Sequence, residues 1–201
     1  MCINPTKPRY RENEYLWVPR DPEIVIYYYE VGKKDVRHFR VAEYEDAYVI
    51  CPNGEIKEIR SPGFYEVRSV PAKIIWIRTA KLTMTIGVPR GILPQGWGVH
   101  ADIALTVGDS QALIGNIISA EKKGIIRIED IKKELRRMLE NAVRNSQIDL
   151  NMDRVEIVEK IHREMVSLIK RSWLNGFICD VQSVGFSLEC EIAKILEKVS
   201  G

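Results

Sequence analysis

Glutamine is scarce, with four residues, and histidine scarcer, with three. The four cysteines, Cys2, Cys51, Cys179 and Cys190, never stand as a Cys-x-x-Cys pair. Without that pairing a zinc site lacks its usual ligand spacing, and the cysteines read as reduced core thiols of a cytoplasmic protein. Excess charge of one sign is missing too: 30 basic against 28 acidic side chains leave +2, far from the basic surplus of a dedicated nucleic-acid protein. There is no apolar run of about 18 residues, so no segment reads as a membrane-spanning helix. The stretch Met1 to Arg20, with Pro5, Pro8 and Pro19 among alternating charges, does not read as a signal peptide. No Gly-rich phosphate loop, G-x-S-x-G elbow or H-E-x-x-H helix occurs; Gly96-Trp97-Gly98 lacks the following Lys-Ser/Thr.

What is present is the composition of a folded domain. Of 201 residues, 45% are hydrophobic and 29% charged, enough to bury a core. Isoleucine, lysine and glutamate are abundant, a composition that leans towards a thermophilic source. Residues 1–22 read as an extended arm, since Pro5, Pro8, Pro19 and Pro22 block long helices. Ile24 to Tyr29 is β-branched and aromatic, a strand closed by the charged turn Gly32-Lys33-Lys34-Asp35. From Phe39 a β-meander is expected: Val41 to Cys51, an Asn53-Gly54 hairpin turn, Glu55 to Ile59, then Phe64 to Val67 after Ser61-Pro62-Gly63. Lys73 to Thr79 reads as a central strand. Leu82, Met84, Ile86 and Val88, and then Val99, Ala101, Ile103, Leu105 and Val107, alternate as half-buried strands.

The rear half reads as helical. Asp109 caps a first helix, a second runs from about Glu129 to Ser146, and a third opens at Asn151 or Asp153 and stops at Asn175-Gly176. Phe177 to Phe186 is a last strand. The fold class is therefore α+β, a twisted antiparallel sheet packed against two or three helices. Leu188, Ile192, Ile195 and Val199 follow at spacings of four, three and four, the seam of a short coiled-coil-type helix over residues 188–201. Burying those four aliphatic side chains in an oligomer interface contributes on the order of 6–10 kcal/mol before association entropy is deducted.

Two other features have chemical character. Lys33, Lys34, Arg37, His38 and Arg40 form a basic knot beside Tyr27, Tyr28 and Tyr29, suited to anionic lipid headgroups or to a single nucleic-acid strand; a solvated turn is the plainer reading. His100 and Asp102 fall on one strand face, where exposed polar pairs are commoner than catalytic ones. No catalytic residue, metal ligand, cofactor or small-molecule substrate is expected.

The order of motifs resembles the SPFH (Band 7) superfamily of stomatin, prohibitin and flotillin. Val41 to Val49, then Gly54-Glu55-Ile56, then Pro62-Gly63-Phe64-Tyr65 are similar to its opening. The likeness is closer to the soluble, virion core protein-like branch. It extends through Trp17 with Asp21-Pro22 before the tyrosine strand, Gly87-Val88-Pro89, Ala101 to Asp109, and Leu174-Asn175-Gly176-Phe177. The resemblance implies an SPFH-like domain over residues 23–187 and a non-enzymatic scaffold that self-associates and organises a protein or membrane-surface assembly. Membrane-bound members carry an N-terminal hydrophobic segment where this chain has a polar arm. The expectation is thus a cytoplasmic homo-oligomer touching an anionic membrane only peripherally, through Lys33, Lys34, Arg37 and Arg40. The alternative is a single-strand nucleic-acid-binding module using the basic knot and the tyrosine strand.

Overall fold

A computed structural model describes residues 2–6, 16–17, 21–33, 37–88, 93, 97–119, 124–148 and 151–188. It is α+β with mostly antiparallel sheets. The first strands are β1 (Ile3–Thr6), β2 (Leu16–Trp17), β3 (Ile24–Val31), β4 (His38–Val41), β5 (Glu45–Ile50), β6 (Ile56–Ile59), β7 (Gly63–Val67) and β8 (Ala72–Arg78). Then come β9 (Leu82–Val88), β10 (Trp97–Val107), α1 (Ser110–Ser119), β11 (Ile125–Arg127), α2 (Ile128–Asn145), α3 (Arg154–Lys170) and β12 (Phe177–Leu188). The chain divides into two compact units, Met1–Ala80 with Glu121–Glu129, and Lys81–Ala120 with Asp130–Gly201.

The first unit is built from two sheets, with strand orders β1-β7-β4-β2 and β11-β3-β8-β5-β6. Phe39, Val41 and Val67 of the smaller sheet share a buried cluster with Val31, Ala47, Val49, Ala72 and Ile74 of the larger. Alternate residues of each strand thus meet between the sheets, the packing that period-two patterning specifies. The expected meander is replaced by strands that switch sheets. Val41 to Cys51 is not one strand, because Tyr44 at φ 61° turns the chain between β4 and β5. The N-terminal arm folds back: β1 pairs antiparallel with β7, and β2 pairs parallel with β4.

That pairing corrects the reading of the cysteines. Cys2, just before β1, and Cys51, just after β5, form a disulfide with Cα atoms 6.1 Å apart across 49 residues of sequence. Sequence spacing carries no signal of this contact, which arises only when β1 adds to the sheet edge beside β7. Cys179 remains a buried free thiol, and burial pushes its pKa up to about 12, so it is inert as a nucleophile. Cys190 lies outside the described residues.

In the second unit β12, β10 and β9 form a three-stranded sheet in that order. β10 and β12 pair from Trp97↔Leu188 to Val107↔Phe177, with a bulge that leaves Gln182 unmatched. Leu82, Met84, Ile86 and Val88 are buried on one face with Val99, Ala101, Ile103 and Leu105, as alternation requires. α2 buries Ile131, Leu135, Met138, Leu139 and Ala142, the stripe its three- and four-residue spacing describes. In α3 Ile161, Met165 and Ile169 are buried together with Ile157, while Val158 and Leu168, which the sequence also places on that face, are only half-buried. Asp109 caps α1 by accepting from Ala112 N at 2.9 Å, and Asp153 caps α3 by accepting from Val155 N at 2.8 Å. α3 ends at Lys170, ahead of the Asn175-Gly176 stop expected of it. Gly176, at φ 114°, serves a different purpose: its carbonyl accepts from Gly108 N and Asp109 N, both at 2.9 Å, and ties the start of β12 to the start of α1. Among the described residues no helix is long and apolar enough to cross a membrane.

Candidate functional site

The basic knot is only partly assembled. Lys33 is exposed, and Arg37 Nη2 donates to its carbonyl at 3.0 Å, which holds two cations around one turn. Arg40 and His38 alternate with buried Phe39 and Val41, so they sit on the face of the smaller sheet away from the shared core. Arg40 Nε is buried and makes no hydrogen bond among the described residues. Lys34 lies outside them. The tyrosines belong to the other sheet. Tyr27 and Tyr29 stack with centroids 6.4 Å apart, and Tyr29 packs against the core cluster. Tyr28 faces the opposite way, donates to Glu30 Oε1 at 3.1 Å, and lies 5.8 Å beneath the Lys73 ammonium. His38 and Arg40 of the knot thus lie on a different sheet from Tyr27, Tyr28 and Tyr29, and the cation over Tyr28 is Lys73, from outside the knot.

The C-terminal seam begins differently from its sequence pattern. Leu188 is the last residue of β12, paired with Trp97, so the strand outruns Phe186 by two residues and no helix starts at position 188. The ladder overrides the four-three-four spacing because Leu188 still has a strand partner in β10. Ile192, Ile195 and Val199 lie outside the described residues. Among the described residues β12 pairs only with β10, so this twelve-residue strand stands at the sheet margin.

His100 and Asp102 do share a face of β10, and that face is polar. Asp102 accepts from Thr85 Oγ1 on β9 and from Ser183 Oγ on β12, each at 2.6 Å. Those hydrogen bonds, Ser183's first, and the nearby His100 hold the carboxyl below its ordinary value. The group is a three-strand clamp. Thr85 and Ser183 both donate to the carboxylate, and among the described residues no hydrogen bond joins either hydroxyl to an imidazole. The alternation of Thr83 and Thr85 is visible in the sequence, but Ser183 is 81 residues from Asp102 and nothing local links them. Among the described residues no three His, Cys, Asp or Glu side chains group as a metal site.

No family model and no curated protein matches the chain. The SPFH resemblance therefore stands on the order of its motifs.

Proposed function

We propose that this chain is a non-enzymatic, SPFH-like scaffold that associates with copies of itself. The observation that carries the reading is the position of β12. It is a long marginal strand, paired on one edge among the described residues, and the chain leaves it directly towards Ile192, Ile195 and Val199. A marginal strand presents unpaired peptide groups to an added strand, and an apolar seam following it extends the same interface. Ile178, 60% exposed near the beginning of β12, adds apolar surface along that strand.

Peripheral attachment to an anionic surface fits Lys33, Arg37 and Arg40; Lys34, the fourth expected contact, lies outside the described residues. The Cys2–Cys51 disulfide suits an oxidising compartment or the cytoplasm of a hyperthermophile. The lysine-, glutamate- and isoleucine-rich composition favours the second. The nucleic-acid alternative has weaker support, because Tyr27 and Tyr29 turn towards the inner side of their sheet. Solution mass across a concentration range tests the proposal: a defined oligomer supports it, and a monomer at every concentration removes it.

A further inference from the structure

Within the second unit a half-enclosed cavity of about 370 Å³ lies where β10 and β12 meet the start of α3. Its size falls in the lower range of small-molecule pockets. Trp97 and Phe186 contribute aromatic walls, Ile157 an aliphatic one, and His100 and Arg154 the nitrogen groups. Gly185 also lines it. A β-carbon there would strike the His100 ring, so the missing side chain is what lets the imidazole lie across β12 at the cavity.

The charge around this cavity is unbalanced. Arg154 is exposed and makes no ion pair or hydrogen bond among the described residues. Carboxylates close in sequence to Arg154 and His100 have other partners: Asp153 accepts from Val155 N, Glu156 pairs with Lys160, and Asp102 accepts from Thr85 and Ser183. Among the described residues no carboxylate lines the cavity. A guanidinium without a partner beside a concave aromatic surface matches one ligand class closely. It pairs bidentately with a planar carboxylate, while rings stack on aromatic walls.

We propose that this cavity binds a small aromatic carboxylate, its ring against Trp97 and Phe186 and its carboxylate on Arg154. No small-molecule partner is expected from the sequence, because these residues come from three separate segments, on β10, at the start of α3 and on β12, and share no motif.

The test is calorimetric and ligand-observed NMR titration of the full chain with 3-phenylpropionate, and with its neutral amide as the isosteric control. The acid is expected to bind saturably, and the amide about tenfold or more weaker, since a charge-assisted pair is lost. Arg154→Ala is expected to weaken the acid to the level of the amide while leaving the amide unchanged; circular dichroism confirms that the variant is folded. Gly185→Val, which displaces the His100 ring, is expected to weaken both. Equal binding of acid and amide, unchanged binding to folded Arg154→Ala, or no saturable binding up to about 10 mM overturns the proposal.

Discussion

The His100 ring occupies the space that a β-carbon on Gly185 would fill. Gly176 has a neighbour of another kind: a β-carbon there would meet the backbone carbonyl of Asp109 and the backbone N of Leu113. A ring can swing aside, whereas the first turn of α1 cannot. Gly185→Ala is therefore expected to cost about 1 kcal/mol, and His100→Ala to remove most of that cost in a double-mutant cycle. Gly176→Ala, which adds a positive-φ penalty to a backbone collision, is expected to cost at least about 3 kcal/mol. Chemical denaturation of Gly185→Ala, His100→Ala, their double variant and Gly176→Ala measures this, and equal costs at both glycines would refute the assignment.

The disulfide closes a loop that contains most of the first unit. Chain entropy alone assigns such a cross-link about 4 kcal/mol. Cys2→Ser is expected to lower stability by roughly 2–4 kcal/mol, and a reductant should shift the parent's melting midpoint but not the variant's. Thiol labelling of the unfolded, unreduced chain should leave Cys2 and Cys51 unmodified and label Cys179; labelling of Cys2 and Cys51 would contradict the pairing.

Asp102 gives the fold an acid-sensitive clamp. Its pKa is lowered in the folded chain, so its stabilising contribution is complete above the ordinary value of 3.8. That contribution is lost as pH falls from there through the folded value. Asp102→Asn is expected to be less stable than the parent near neutrality and to converge on it under acid. Parallel stability curves from neutral pH to below 3.8 would exclude the clamp.

The basic turn should act through charge alone. Replacing Lys33 and Lys34 by alanine is expected to reduce co-sedimentation with phosphatidylserine vesicles on the order of tenfold at low salt, with little change on neutral vesicles. Retention that ignores both the substitutions and added salt would detach this turn from membrane contact.

Strong periodicity was legible where burial alternates cleanly. Leu82 to Val88 announces β9 by its own pattern, and Asp109 and Asp153 announce their helices because capping is a local hydrogen bond. Ile125–Arg127 is not legible: three residues are too few to show a period, and pairing with β3 alone makes them a strand. The disulfide, the Asp102 clamp and the cavity at Arg154 share one obstacle. Each joins residues from distant segments, and no local spacing encodes which strands become neighbours. Asn175-Gly176 carries the composition of a helix stop, but α3 has already ended at Lys170, and the pair instead feeds β12 against α1.

The central claim is self-association through β12 and the seam that follows it. Size-exclusion chromatography with light scattering, on the parent and on the double variant Ile192→Asp/Ile195→Asp over a wide concentration range, tests it most directly. The account predicts a defined oligomer for the parent and a lower mass for the folded double variant. An identical mass for both chains would contradict it.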